Sequence, residues 1–539
     1  MQSKFTIPTC KISPWVIAVT SVLWLPFSLL AQSPNNTAQT IDRMLESETQ
    51  VSPHAVCDDE TFVRRAFFDI VGQPPSLEDI LVYKLEKSPD KRTLLMEHLL
   101  ADEAYGTNWS RYWRDVILFR RTYEQALLGI PGLESYLESA LNSGTTWDRI
   151  AFDFITAQGD IREDGRTMLI ASHQGRPEET VSEISRIFLG IQIQCAQCHD
   201  HPTDRWKQEQ FHELAAFFPR VALRPQQEPR TFIVTTTDFT GRNRRTNPNN
   251  RLIGTLEHTM PNLSDPSEPG TVMAPKFFLS GQTLPTGTKD ADRRDALARW
   301  ITSPDNPWFA KAVTNRVWAE LVGEGFYEPV DDIGPDREAS APKTLTYLAN
   351  EFTLSGYDLK WLIQTIMSTK VYQHTSQDRR NYDQIPFQAN AVQPLRSDQL
   401  FDSIMNVFEI ADESSNSRGS FPRQQGPRTQ FSNVFGYDPN NSRGDVAITI
   451  PQSLAMMNSS FINEQIKVQP GTMLFRLLDE VASDRNAVQE LYLRVLSRRP
   501  NRQELNTSLS YIKRVANRRE SFEDLLWALL NSAEFKTRK

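Results

Sequence analysis

Residues 195–202 read Cys-Ala-Gln-Cys-His-Asp-His-Pro. A CxxCH pentapeptide is the attachment signature of c-type haem: each thiol adds to a porphyrin vinyl group, and the adjacent imidazole supplies a nitrogen to iron. Cys195, Cys198 and His199 are therefore the candidate cofactor-binding residues. Zinc is the rival cofactor, held by the two cysteines with His199, His201 or both as metal ligands, since zinc takes thiolates and imidazoles in a tetrahedral array. Four such ligands within seven residues are cramped for a closed site, because separate loops usually share them. A redox dithiol and an inert structural turn are the remaining readings, and no thioredoxin-like βαβ pattern surrounds the motif.

The rest of the inventory sharpens that choice. The chain has only four cysteines. Cys10 falls in the N-terminal segment and Cys57 stands alone as a small structural residue, so there is no disulfide framework. A chance CxxCH in so cysteine-poor a chain is improbable. His201 lies too close to His199 to ligate the opposite side of the same iron, and a turn-capping role suits it better; His212, a methionine such as Met168, or an open position would complete the iron. His54, His98, His173, His258 and His374 read as surface or satisfied core residues. Asp331-Asp332 and the pair Asp200 and Asp204 read as caps or loop residues. There is no phosphate-binding glycine loop, no HExxH and no GxSxG.

Met1–Ala31 has the form of an export signal, with Lys4 and Lys11 ahead of an uncharged apolar run from Trp15 to Leu30 and a small residue, Ala31, at a cleavage position. The run is shorter than the roughly 20 residues that span a bilayer comfortably. Export to the periplasm or cell envelope supports the haem reading, because covalent haem is attached outside the bacterial inner membrane; membrane association would require the segment to stay uncleaved. The 539 residues allow two or three domains. A net charge of −8 gives no reason to expect nucleic acid, and the basic spots Arg242–Arg245 and Arg498-Arg499 are short.

The elements that must position the motif are mostly helices. Phe62, Ala66 and Ile70 recur at helical spacing up to a Gly72-Gln73-Pro74-Pro75 stop, and Ser76 caps the next helix. Further helices are expected over 91–102, around Trp109 to Trp113, over 208–218, from Asp290, from Pro307, and over 359–367, 400–408 and 453–466. Val181, Ile184, Phe188 and Ile191 predict a helix running into the motif, whose turn would put Cys195, Cys198 and His199 on one side. Thr231–Thr237 is strand-like, and Lys276–Leu279 offers a second short strand. Similar helix–Pro–helix–helix patterns at 66–105 and 491–535 suggest two units that pack together. The expected fold is mainly α: a signal over 1–31, a flexible lead over 32–57, a helical domain over 58–222, a loop and antiparallel β linker over 223–288, and a second helical domain over 289–539. A second loop-rich interval spans 414–441.

Several stretches resemble a known family. Asp58–Arg65, Gln73-Pro74-Pro75, Tyr112-Trp113-Arg114-Asp115 and Phe188–Gln194 leading into the CxxCH motif resemble the cytochrome-associated domain of unknown function fifteen-forty-nine, common in planctomycetes and related bacteria. Asn306–Val313, Asn315–Glu320, Glu328–Asp332 and Ser355–Leu359 resemble its usual partner, domain fifteen-fifty-three. The chain departs from that pattern after Asp332, at Gly334–Pro342. The resemblance implies an exported protein whose relatives are often fused to a separate cytochrome c module. The expected function is that of a cytochrome-c-like protein with covalent haem that exchanges electrons with an envelope redox partner or cytochrome. The alternative is a structural or substrate-binding envelope protein with a zinc or purely structural CxxCHxH site.

Overall fold

Local signals set the first helices. Asp58 accepts from the Thr61 backbone N–H at 2.8 Å and opens the helix Asp59–Ile70, whose Phe62, Ala66 and Ile70 face inward. Gly72 (φ 75°) closes it, in a place where a Cβ would meet the Asn108 side chain at 2.6 Å. Ser76 and Asp79 then form a reciprocal capping box at the start of Leu77–Leu85. The same logic continues through Lys91–Ala101, Ala104–Leu118, Asp290–Ile301, Pro307–Val322, Leu359–Ser368 and Ser397–Phe408.

The computed structural model describes residues 31–50, 55–227, 230–238, 256–377, 385–410, 427–441, 446 and 449–538. It is mainly α, with small antiparallel sheets of two or three strands. Residues 1–30 of the signal expected over 1–31, and the basic run 242–245, lie outside the described residues. Among those residues, no helix is long and apolar enough to cross a membrane.

Four local expectations change. The lead expected to be flexible contains the helix Pro34–Thr49, because Ala38, Ile41 and Leu45 form an inward stripe; it packs on Pro342–Leu354 and Leu359–Ser368. Lys276–Leu279 is not a strand. Only Lys276 makes a bridge, to Thr283, and the Phe277 carbonyl accepts from Gly281 N–H at 2.7 Å, so the chain turns at once while both phenyl rings are buried. The helix expected over 453–466 is two, Ile450–Asn458 and Ser460–Ile466, because extended Ser459 ends one and caps the other. The helix Pro427–Phe435 occupies part of the second loop-rich interval. Thr231–Thr236 does form a strand, paired antiparallel with Val221–Gln226 on one edge and Gly159–Asp160 on the other.

The largest apolar cluster runs from Ile41 to Phe387 and takes residues from both expected helical domains. Its centre is aromatic: Trp109, Tyr112, Trp113, Trp147 and Phe188 pack ring to ring. A second cluster joins Leu395 to Phe535 and includes Phe68 from the helix Asp59–Ile70. The two terminal helical units do meet. Arg64 donates to the carbonyls of Glu534 and Phe535, and Arg538 pairs with buried Asp69.

Candidate functional site

The helix Pro177–Ile184 leads towards the CxxCH motif but does not run into it. It widens into a π-turn over Ser185–Leu189 and stops at Gly190, in the left-handed region at φ 65°. A Cβ there would lie 2.8 Å from Ile333 Cδ1, and the Gly190 carbonyl accepts from Ile333 N–H at 2.6 Å. Val181, Ile184, Phe188 and Ile191 are all buried as the pattern predicted, but the chain has turned before the cysteines arrive.

The cysteines sit at a separate 3₁₀ turn, Gln194–Gln197, with Cys198 as its C-cap. Residues three apart eclipse on a 3₁₀ turn, so Cys195 and Cys198 share a face. Both thiols are free and exposed, while Ala196 between them is buried. His199 is also exposed. Its Nδ1 lies 2.7 Å from the Asp200 carbonyl, which can only accept, so Nδ1 carries the hydrogen and Nε2 is left with its lone pair and no protein partner. A metal-ligating imidazole is normally oriented in this way. The donor set and its presentation therefore fit a c-type haem.

His201 takes a turn-holding position: its backbone N–H donates to Trp206 O at 2.8 Å, and its Nδ1 accepts from Thr203 N–H at 3.4 Å. Asp200 accepts from Lys207 Nζ at 2.8 Å and from Gln208 N–H at 3.0 Å, so it ties the loop to the helix Gln208–Ala215; these bonds hold its carboxyl below the usual range. Among the described residues, no three His, Cys, Asp or Glu side chains gather as metal ligands. Cys195, Cys198, His199 and His201 are thus not drawn together as a closed zinc site.

Two features beneath the motif are invisible in the sequence. The first is a buried histidine pair. His212 Nε2 donates to the carbonyl of Gln197, inside the CxxC turn, at 3.0 Å; its Nδ1 then accepts from His258 Nε2 at 2.9 Å, and the rings stack. Burial lowers the basicity of both, and His212 helps bring His258 down to about 4. His212 is therefore engaged at both nitrogens, and Met168 is fully buried against Gly129; neither is presented as a second iron ligand.

The second is Asp331, a loop residue as its pattern suggested, but fully buried. Its Oδ1 accepts from Gln192 Nε2 at 2.8 Å, three residues before Cys195, and its Oδ2 faces Arg186 Nη1 at 3.4 Å and Arg316 Nη2 at 3.8 Å. Arg186 is held further by Glu183 and by the Val116 carbonyl. Downstream of the motif, Asp332 pairs with Arg337 at 2.6 Å and Arg205 with Asp336 at 2.9 Å. One loop, 328–337, thus grips both flanks of the CxxCH turn. The segment that departs from the family pattern, 334–342, supplies part of that grip.

Residues 37–222 match the family PSCyt2, described as a protein of unknown function (DUF1549), and residues 293–444 match PSD1, described as a protein of unknown function (DUF1553). The chain thus carries a DUF1549 region followed by a DUF1553 region. Its CxxCH turn lies in the DUF1549 region, and the loop that grips it lies in the DUF1553 region. No curated protein and no solved structure matches the chain.

Proposed function

We propose that this DUF1549–DUF1553 protein is an exported, cytochrome-c-like protein that passes electrons to or from a partner in the cell envelope. Cys195 and Cys198 would hold the haem through thioethers, and His199 would ligate iron through Nε2. The observation behind this reading is the presentation of two free thiols on one exposed face, followed by an imidazole whose Nδ1–H is fixed on the Asp200 carbonyl. A bound haem supplies reversible one-electron chemistry at iron. The chain's own contribution is orientation. The Nδ1–H bond fixes the tautomer and turns Nε2 outward, and His212 holds the turn from below through Gln197. Asp331 fixes Gln192 on the upstream flank. Exposure of the site suits exchange with another protein, since electron-transfer encounters use small, transient interfaces.

The test is production of the full chain in a host with the haem c maturation machinery, followed by a reduced pyridine haemochrome spectrum and an intact mass. A haemochrome band together with a covalent haem adduct, both lost in the variant Cys195→Ala/Cys198→Ala, is the expected result. A colourless protein of apoprotein mass would rule the reading out, and zinc analysis of the same sample would then be the next step.

A further inference from the structure

Away from the CxxCH turn, a cleft of about 240 Å³ opens between the helix Ala104–Leu118, the start of Ser397–Phe408 and the segment that follows Pro427–Phe435. Apolar side chains, Leu118, Phe119, Leu127, Ile130 and Tyr437 among them, share its walls with Ser397, Ser432 and Asn433. Four charged residues line it, Arg114, Asp115, Arg121 and Arg396. Each arginine already has its counter-charge: Arg114 pairs with Asp115 at 2.7 Å and Glu134 at 2.5 Å, Arg121 with Glu124 at 3.1 Å, and Arg396 with Asp398 at 3.1 Å and Glu320 at 3.3 Å. An anionic ligand would find no free cation there and would lose its hydration for little return.

Asp115 is different. Its Oδ1 takes both bonds from Arg114, while Oδ2 has no partner among the described residues, and the side chain, which lines the cleft, keeps 38% of its surface exposed. A carboxylate oxygen without a donor, set in an apolar pocket, calls for one hydrogen-bond donor attached to an apolar body. An ammonium group is a poorer fit, because it would sit beside the guanidiniums of Arg114, Arg121 and Arg396 that line the same cleft, and the apolar walls cannot solvate a further charge. We infer that this cleft binds a small neutral phenol, with the ring against Phe119, Leu127 and Ile130 and the hydroxyl donating to Asp115 Oδ2. A single ring fits the volume. The site stands independently of the haem reading, since none of its residues belongs to the CxxCH turn.

Ligand-observed NMR titrations of the full chain test it, with 4-methylphenol as the probe and 4-methylanisole, the same body without the donor, as its matched control. Saturable binding of 4-methylphenol is expected, at least tenfold tighter than the ether, benzoate or benzylamine. Asp115→Leu should erase the difference between phenol and ether, and Leu127→Trp should fill the cleft and remove binding of both. The inference is overturned if 4-methylphenol does not saturate, if any of the three controls binds as tightly, or if Asp115→Leu keeps the discrimination. Should Asp115→Leu fail to fold, the matched pair on the unaltered chain together with Leu127→Trp decides.

Discussion

At the scale of single residues, exposure and burial assign opposite consequences to neighbouring positions. Cys195 and Cys198 are exposed and free, so replacing them removes no packing. The double alanine variant should melt within about 2 °C of the parent when both are produced without haem, because exposed substitutions lie within roughly 0.5 kcal/mol. His258 lies deeper, faced by His212 at 2.9 Å and by Glu178 at 3.9 Å. Burial first, then His212, lowers its pKa to about 4 in the folded chain, against roughly 6.5 when unfolded. The unfolded chain thus binds more protons between those values. The stabilising effect is complete above about pH 6.5 and is lost as the pH falls towards 4. In chemical denaturation, the His258→Gln variant should lose about 2 kcal/mol less than the parent between pH 7 and pH 5. An equal pH dependence in both proteins would locate the titration elsewhere.

At the scale of elements, the position of the CxxCH turn depends on how the helix before it ends and on what receives the next segment. Gly190 combines a positive φ with a Cβ direction blocked by Ile333, so Gly190→Ala should cost about 1–3 kcal/mol by urea denaturation. Asp331 accepts from Gln192 and offsets the buried guanidiniums of Arg186 and Arg316. Its replacement by Ala takes the facing carboxylate from Arg316 and leaves Arg186 with Glu183 alone, at a cost of about 3–5 kcal/mol. The same variant should also loosen the turn above it, read as faster alkylation of Cys195 and Cys198 under native conditions. Unchanged thiol reactivity would mean that the turn is held by its own local bonds alone.

For the whole molecule, the two family matches are not two independent cores. The cluster from Ile41 to Phe387 draws on both, and Trp318 of the second region is as deeply buried in it as Trp113 of the first. A fragment of residues 31–227 should therefore expose apolar surface, bind a hydrophobic dye and lack a cooperative melt, whereas the full chain melts cooperatively. A fragment with native-like unfolding would show that the first region closes its own core. The end of the described chain is tied into the start in the same way: Arg538 neutralises Asp69, which also accepts from Tyr372 Oη at 2.7 Å. Arg538→Ala should destabilise by about 3–5 kcal/mol, because buried Asp69 would lose the guanidinium it pairs with.

The sequence by itself determined what is written in short-range chemistry. Helix starts at Asp58, Ser76, Asn306 and Asp358 are local hydrogen bonds between a side chain and the next turn, so they can be read from residue types and spacing. The CxxCH motif, the family and the mainly α class are equally local or compositional. The pairing of the terminal helical units also showed as a weak repeat. The tertiary structure decided everything that depends on residues far apart in the chain. Pro34–Thr49 is a helix because two later helices cover its apolar stripe, and Phe277-Phe278 is a turn because rings from elsewhere receive both side chains. His212 and His258 are separated by 46 positions, and Asp331 lies 139 positions from Gln192. A lone histidine or an acidic pair carries no mark of its partner, because a buried polar group is defined by what the fold brings to it and not by its neighbours in sequence.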